Sequence, residues 1–319
     1  ERFAFPDFHA RHLMSTSIRF PRSDISDQRC NNISLIIRRV KLKYCSFFRE
    51  AFLAFDRFGR KINWLRISVT DRCNFNCYYC QPAGKEELVD RRSILTFEEI
   101  EEVARCACSL GIRNLRITGG EPLVRKGIVE LVARLAAIEG LEDLAMTTNA
   151  SRLAELALPL KAAGLRRINV SLDTLDAEEF RRITGGGEIG PVLEGIRAAR
   201  AAGLEPIKIN CVIENSPQEK NARTVAEFGA REGFQVRFIR RMDFATGFFR
   251  PVIGGRGGDC PRCNRLRLSA DGQIRPCLFS DSGYPVRQLG AERALRLALE
   301  NKPESGTACR RSWMRVCGG

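Results

Sequence analysis

The chain predicts an α/β fold of six parallel strand–helix units, curled into an incomplete barrel or laid out as an open doubly wound sheet. Three observations lead there. Short apolar runs alternate with amphipathic stretches in units of roughly thirty residues, as a parallel βαβ crossover requires. Glycines stand where the amphipathic stretches should stop, and the residues with evident chemistry fall just after the apolar runs, where α/β folds collect ligands. The first strand covers 62–70. A helix over 97–110 follows, with Thr96 and Glu99 spaced as a capping box and Gly111 at its stop. A strand at 114–118 leads to a helix at 127–138, and a strand at 143–148 to a helix at 152–163 that ends on Gly164. Strand 167–172 precedes a helix at 191–202, closed by Gly203. Strand 206–213, a helix at 218–231 and strand 235–241 complete the series.

Composition narrows the function classes. With 319 residues, 44% apolar and 28% charged, the chain is globular and long enough for one large α/β domain or two ordinary ones. The formal charge of +14 rests mainly on arginine and suits a phosphate-bearing partner, whether nucleotide, nucleic acid or anionic membrane, although part of it belongs to solvated helix faces. Residues 1–55 differ from the rest. They are Arg- and Ser-rich, poor in acids and without clear periodicity, and read as a basic leader outside the fold, either transit-like or upstream sequence with a start at Met14 or later. The apolar stretch at 33–55 is interrupted by Arg38, Arg39, Lys41, Lys43 and Arg49 and does not read as a bilayer span. The expected division is a leader at 1–55, a barrel at 56–242 and a short C-terminal region at 243–319.

Of thirteen cysteines, six fall in two tight groups, which argues for metal rather than disulfides. Cys73, Cys77 and Cys80 form a CxxxCxxC loop after the first strand. Three thiolates on one short loop can hold three irons of a [4Fe–4S] cube and leave the fourth open; a zinc clip would want a fourth Cys or His nearby. Cys260, Cys263 and Cys277 repeat the three-thiol arrangement, and here zinc completed by Cys309 or Cys317 stands beside a second cluster. Arg265 and Arg267 alternate as on a strand, so their guanidiniums point the same way, an arrangement suited to a triphosphate. Gly119-Gly120-Glu121-Pro122 offers bare backbone to a ligand, though alone it is an ordinary glycine turn. Lys208, in an otherwise apolar strand, calls for an anion or a paired acid.

These segments, with 65–73, 116–125, 167–173 and the terminal Gly318-Gly319, resemble the MoaA family of radical S-adenosylmethionine (SAM) enzymes, the GTP 3′,8-cyclases of molybdenum cofactor biosynthesis. The resemblance implies a partial, six-unit TIM-like barrel of the radical SAM type with a small auxiliary-cluster region. It implies two [4Fe–4S] clusters, one on Cys73, Cys77 and Cys80 and one on Cys260, Cys263 and Cys277. It places SAM against Tyr79, Gly119, Gly120, Glu121, Ser171 and Met242, and GTP against Arg66, Arg116, Thr147, Lys208, Arg265 and Arg267. Arg265, Arg267, Gly318 and Gly319 take part in catalysis, the glycine tail threading into the site. The implied reaction splits SAM reductively, removes hydrogen from C3′ of the GTP ribose, joins C3′ to C8 of guanine and quenches the product radical. Implied partners are GTP, a reductase or flavodoxin-type electron donor and the next enzyme of the pathway. A homodimer is compatible, and neither membrane nor nucleic acid is expected. The expected location is cytoplasmic, or the mitochondrial matrix if the leader is a transit peptide.

The sequence also departs from the family pattern. Only 243–259 separate Met242 from Cys260, where the family has several dozen more residues, and the part after Phe279 is short as well. Gln81 stands where Met is usual, Ala150 where Gly is usual, Arg240 where Glu is usual, and Cys317 precedes the final glycines. Rival readings are a radical SAM peptide maturase, a zinc-containing nucleic-acid-binding protein and an inactive relic that binds SAM without cyclising GTP.

Overall fold

The computed structural model describes residues 54–80, 88–309 and 316. The leader expected at 1–55 lies outside the described residues except for its last two, as do Gln81, Cys317, Gly318 and Gly319. Ala54 and Phe55 already pair with the chain at Lys61 and Ile62, so the folded part includes them.

All six expected strands are present: β1 (Trp64–Ser68), β2 (Asn114–Thr118), β3 (Asp143–Thr148), β4 (Arg167–Ser171), β5 (Lys208–Ile213) and β6 (Gln235–Arg240). Leu65, Ile67, Leu115, Ile117, Ile168, Val170 and Ile209 alternate with polar neighbours and are buried, as a sheet with one face against helices demands. Three more strands follow, β7 (Arg265–Leu268), β8 (Gln273–Arg275) and β9 (Tyr284–Pro285). The order is β6-β5-β4-β3-β2-β1-β7-β8-β9, parallel from β6 to β7 and antiparallel beyond. No pairing joins β6 to β7 among the described residues, so the barrel stays incomplete, and β7 supplies a seventh parallel strand that the six-unit count leaves out. It is only four residues long and follows a Gly-rich link without a crossover helix, so it lacks the βα signature.

The helices are α1 (Phe97–Ser109), α2 (Ile128–Ala136), α3 (Leu153–Ala162), α4 (Ala177–Thr184), α5 (Ile189–Ala201), α6 (Lys220–Glu232), α7 (Val286–Leu289) and α8 (Ala291–Glu300). The capping box before α1 forms in both directions, Glu99 N to Thr96 Oγ1 at 3.3 Å and Thr96 N to Glu99 Oε2 at 2.7 Å. The short α4 escapes the periodicity reading because its eight residues span barely two turns; Asp176 caps it and Gly185, at φ 68°, ends it. No helix of the described residues is long and apolar enough to cross a membrane.

The strand register decides what the inner face presents. Arg66 of β1 stands level with Arg116 of β2 and with Arg267 of β7, and Trp64 with Arg265. Since side chains alternate, these residues share one face, and the buried aliphatics share the other.

Candidate functional site

The chain leaves β1 and runs through Thr70–Arg72 into the first cysteine set. It lies directly on the glycine turn after β2: Gly120 N donates to the Thr70 carbonyl at 2.7 Å and Glu121 N to the Arg72 carbonyl at 2.8 Å. A Cβ on Gly120 would sit 2.3 Å from the Arg72 oxygen, and one on Gly119 would sit 2.7 Å from that of Thr70, so only glycine permits this approach. On the other side α4 props the loop. Asn76 N and Tyr78 N donate to the carbonyls of Thr184 and Ile183, at 2.8 and 3.2 Å.

The three thiols of Cys73, Cys77 and Cys80 face a cavity of roughly 180 Å³ together with Tyr79, Gly119, Gly120, Ser171 and Met242, as the sequence reading expects. Glu121, expected beside them, lines this cavity too and also acts as a brace. Its carboxylate accepts from Leu123 N (2.9 Å), Thr148 Oγ1 (2.7 Å) and Asn149 N (2.7 Å), pinning the turn to the end of β3. Burial pushes it up to about 7, against the pull of those three donors. Tyr79 is fixed by its hydroxyl, which donates to Asp173 at 2.5 Å; Asp173 also accepts from Val212 N at 2.7 Å, and burial lifts it to about 6. Thr147, expected with the nucleotide group, lines this first cavity, and its buried Oγ1 has no hydrogen-bond partner. A hydrogen bond from Cys80 and burial push the Cys77 thiol up, so the loop takes up metal with release of protons. Three thiols without a fourth Cys or a His in the wall, bare glycine backbone and an unpartnered hydroxyl fit a cluster with one open corner and a small polar ligand beside it.

A second cavity of roughly 190 Å³ adjoins the first; Asn210, Ile239 and Met242 border both. Its wall combines Cys260, Cys263 and Cys277 with Arg66, Arg116, Arg265 and Arg267, and with Arg237 of β6, which the sequence reading misses. The alternation in β6 could have found it, since Arg237 shares a face with Ile239. The guanidiniums crowd one another. Burial and then Arg267, Arg116, Arg265 and Arg237 hold Arg66 well below the usual arginine range, and burial, Arg167 and Arg237 bring Arg116 down to about 9. Arg116 Nε and Arg237 Nε are buried without partners. Beneath them Trp64 carries the guanidiniums of Arg116 and Arg167 at 5.0 and 5.5 Å, and Asp143 neutralises Arg167 alone. A cavity this cationic calls for a compact polyanion. Lys208 is not in either cavity's wall; it lies half-buried toward the base, near Arg237, Arg167 and Arg116.

Arg60, also missed by the sequence reading, clamps the second cysteine set from outside. Asp56 accepts its Nε at 2.6 Å, and its other nitrogens donate to the carbonyls of Cys260 (2.8 Å), Glu304 (2.8 Å) and Pro303 (2.6 Å). Cys309, the candidate fourth zinc thiol, turns away to Asp281 Oδ1 at 3.0 Å. Among the described residues no three His, Cys, Asp or Glu side chains close on one metal-ion position, as a single zinc would require. A wider hollow of roughly 590 Å³ lies beyond Tyr79, but Asp176, Glu178, Glu179, Glu214 and Glu219 in its wall repel phosphate.

Residues 67–224 match the family model described as the Radical SAM superfamily. A protein of Moorella thermoacetica named GTP 3′,8-cyclase is 39% identical over 322 aligned positions, which take in 82% of this chain and 99% of the relative. The chain belongs to the GTP 3′,8-cyclase family of radical SAM enzymes. The cyclase of Rhodopirellula baltica is 38% identical, covering 79% of this chain and 84% of its own length. Among solved structures, native anSMEcpe with bound AdoMet shares the fold at a TM-score of 0.54 and 15% identity, covering 80% of this chain and 87% of that one. Membership in the radical SAM family carries a [4Fe–4S] cluster and SAM. The Moorella alignment has more positions than this chain supplies residues for, so dozens of the relative's positions have no counterpart here.

Proposed function

We propose that this chain is a GTP 3′,8-cyclase, converting GTP to 3′,8-cyclo-7,8-dihydro-GTP in the first step of molybdenum cofactor biosynthesis. One observation carries the reading. Two cavities, each with three thiols in its wall, meet at Asn210, Ile239 and Met242, and the second is lined by seven arginines, Arg250 and Arg256 among them. Bound at the first cavity, the cluster and SAM supply a hydrogen-abstracting radical. Cys73, Cys77 and Cys80 hold that cluster; Gly119 and Gly120 offer backbone to SAM, while Tyr79, Ser171 and Met242 enclose it and Glu121 keeps the turn in place. Cys260, Cys263 and Cys277 would hold a second [4Fe–4S] cluster, which would offer an open iron to the substrate. Arg66, Arg116, Arg237, Arg265 and Arg267 grip the triphosphate and orient the ribose between the cavities. Thr147 offers its unpartnered hydroxyl in the first cavity, and Gly318 and Gly319, which lie outside the described residues, take part in catalysis. Lys208 acts at most from beneath as a distant positive charge. An acidic flavodoxin-type donor supplies electrons, and the next enzyme of the pathway takes the product.

The test is anaerobic reconstitution, iron and sulfide analysis, then incubation with SAM, GTP and a strong reductant. Roughly eight irons per chain and cyclised GTP are expected. Roughly four irons with 5′-deoxyadenosine alone would leave a SAM-cleaving relic, and one zinc per chain would overturn the reading.

A further inference from the structure

Behind the second cysteine set lies a side chain that the proposed reaction does not use. Lys302, just past α8, is 1% exposed and the bulkiest of the fully buried side chains. Its Nζ donates to the carbonyl of Arg265 at 2.8 Å and to that of Pro276 at 2.6 Å, and it hydrogen-bonds the thiol of Cys263. One ammonium thus joins the start of β7, the residue before Cys277 and a second thiol. The charged or titratable groups that act on it most are the thiols of Cys263 and Cys277 and the guanidinium of Arg60, and among the described residues no carboxylate lies within ion-pair distance of it. A buried ammonium without a counter-charge costs several kcal/mol, so a fold keeps one where the loaded site is anionic.

We infer that Lys302 is a positioning residue for the second cluster: it aims Cys263 and Cys277 through the bonds to Arg265 and Pro276, and its charge favours the reduced cluster. The inference rests on the second-cluster reading above. Reduction adds one electron and makes the thiolate-bound group more negative by one charge; a fixed cation a hydrogen bond away from a ligating sulfur stabilises that state more than the oxidised one.

The experiment compares the wild type with Lys302→Met and Lys302→Arg after anaerobic reconstitution, reading iron per chain and the potential of each cluster by redox titration followed by electron paramagnetic resonance. Lys302→Met is expected to keep the first cluster at its wild-type potential. Its second cluster is either lost, leaving roughly four irons, or reduced at least tenfold less favourably, which is ~59 mV lower for one electron. Lys302→Arg, which keeps the charge, restores both iron and potential. Lys302→Met with full iron and two wild-type potentials overturns the inference, and so does Lys302→Arg as defective as Lys302→Met. A wild type holding only about four irons sinks the second-cluster reading itself, before any variant is compared, and takes this inference with it.

Discussion

Gly120→Ala tests how tightly the first cysteine loop is seated. The added methyl would lie 2.3 Å from the Arg72 oxygen, 2.6 Å from its carbonyl carbon and 2.8 Å from the Asp71 oxygen, all backbone atoms with no rotamer to escape through. Ordinary contact requires a retreat of ~1 Å. Such overpacking costs about 1–3 kcal/mol, a few degrees in Tm. Cys73 follows Arg72 immediately, and metal–ligand distances tolerate only about 0.2 Å, so the displaced thiol loses its iron. The expected result is a loss of roughly four irons per chain after reconstitution, and of SAM cleavage with them.

Gly140→Ala is the matched control. Gly140 has φ 82°, but its added methyl would meet nothing within 4 Å. It incurs the left-handed penalty of about 1–2 kcal/mol, so stability falls by a similar amount while iron content stays at the wild-type level. A Gly120→Ala protein that takes up its full iron and cleaves SAM would refute the seating argument, whatever its Tm.

Three further outcomes are expected. Glu121 has a native pKa of about 7 against an ordinary 4.5, so the folded state holds more protons between those values and stability declines as pH rises through that window, by about 3 kcal/mol; urea titrations of the metal-free protein should show a flatter pH slope in Glu121→Gln, and parallel slopes would refute it. Arg116→Met removes one of several crowded cations, so the ligand-free protein melts higher than wild type; GTP at a hundredfold its Kd stabilises the wild type by about 2.7 kcal/mol, and the variant should lose most of that gain in calorimetry. Arg60→Ala leaves the buried Asp56 carboxylate with only the backbone donors of Phe58 and residue 60, its cation gone, and frees the carbonyls of Cys260, Pro303 and Glu304, at about 3–5 kcal/mol; denaturant midpoints should fall, and the iron lost should be that of the Cys260 set, with SAM cleavage retained.

Strands and long helices were legible because their signals are local. Alternation in 114–118 and the apolar run in 143–148 name those strands to the residue, and Thr96 with Glu99 announces α1. Strand β7 was not counted because four residues carry too little periodicity, and its place beside β1 is a long-range pairing. The thiols were legible because ligand spacing on one loop is itself local. Glu121 was placed with the ligand and does line the first cavity, but sequence could not show which backbone groups occupy its oxygens. Lys208 was favoured for its apolar neighbours, yet a strand residue faces the chamber at a height set by register, and its height puts it toward the base. Arg60 and Lys302 act through backbone carbonyls far along the chain, a kind of contact that leaves no motif.

The short link between Met242 and Cys260 bears most directly on whether the chamber can form. It must carry the chain from β6, at one edge of the sheet, to β7, the last parallel strand on the far side of β1. Ile253 pairs with Phe238 on β6, which fastens one end of the link to the sheet. At the other end Phe279 stacks against Phe244 at 4.9 Å and Phe249 at 4.7 Å, so the link is also bound to the segment after Cys277. Gly254 and Gly258, at φ 76° and 73°, turn it where an added methyl would strike the carbonyls of Val236 and Arg250. With these anchors Arg237 on β6 and Arg265 on β7 come to line one cavity and to depress each other's neighbours electrostatically. The arginines needed for a triphosphate therefore converge across the opening without the missing residues. The effect of the short link should therefore fall on how tightly GTP is held and how well water is excluded rather than on whether the cationic wall assembles.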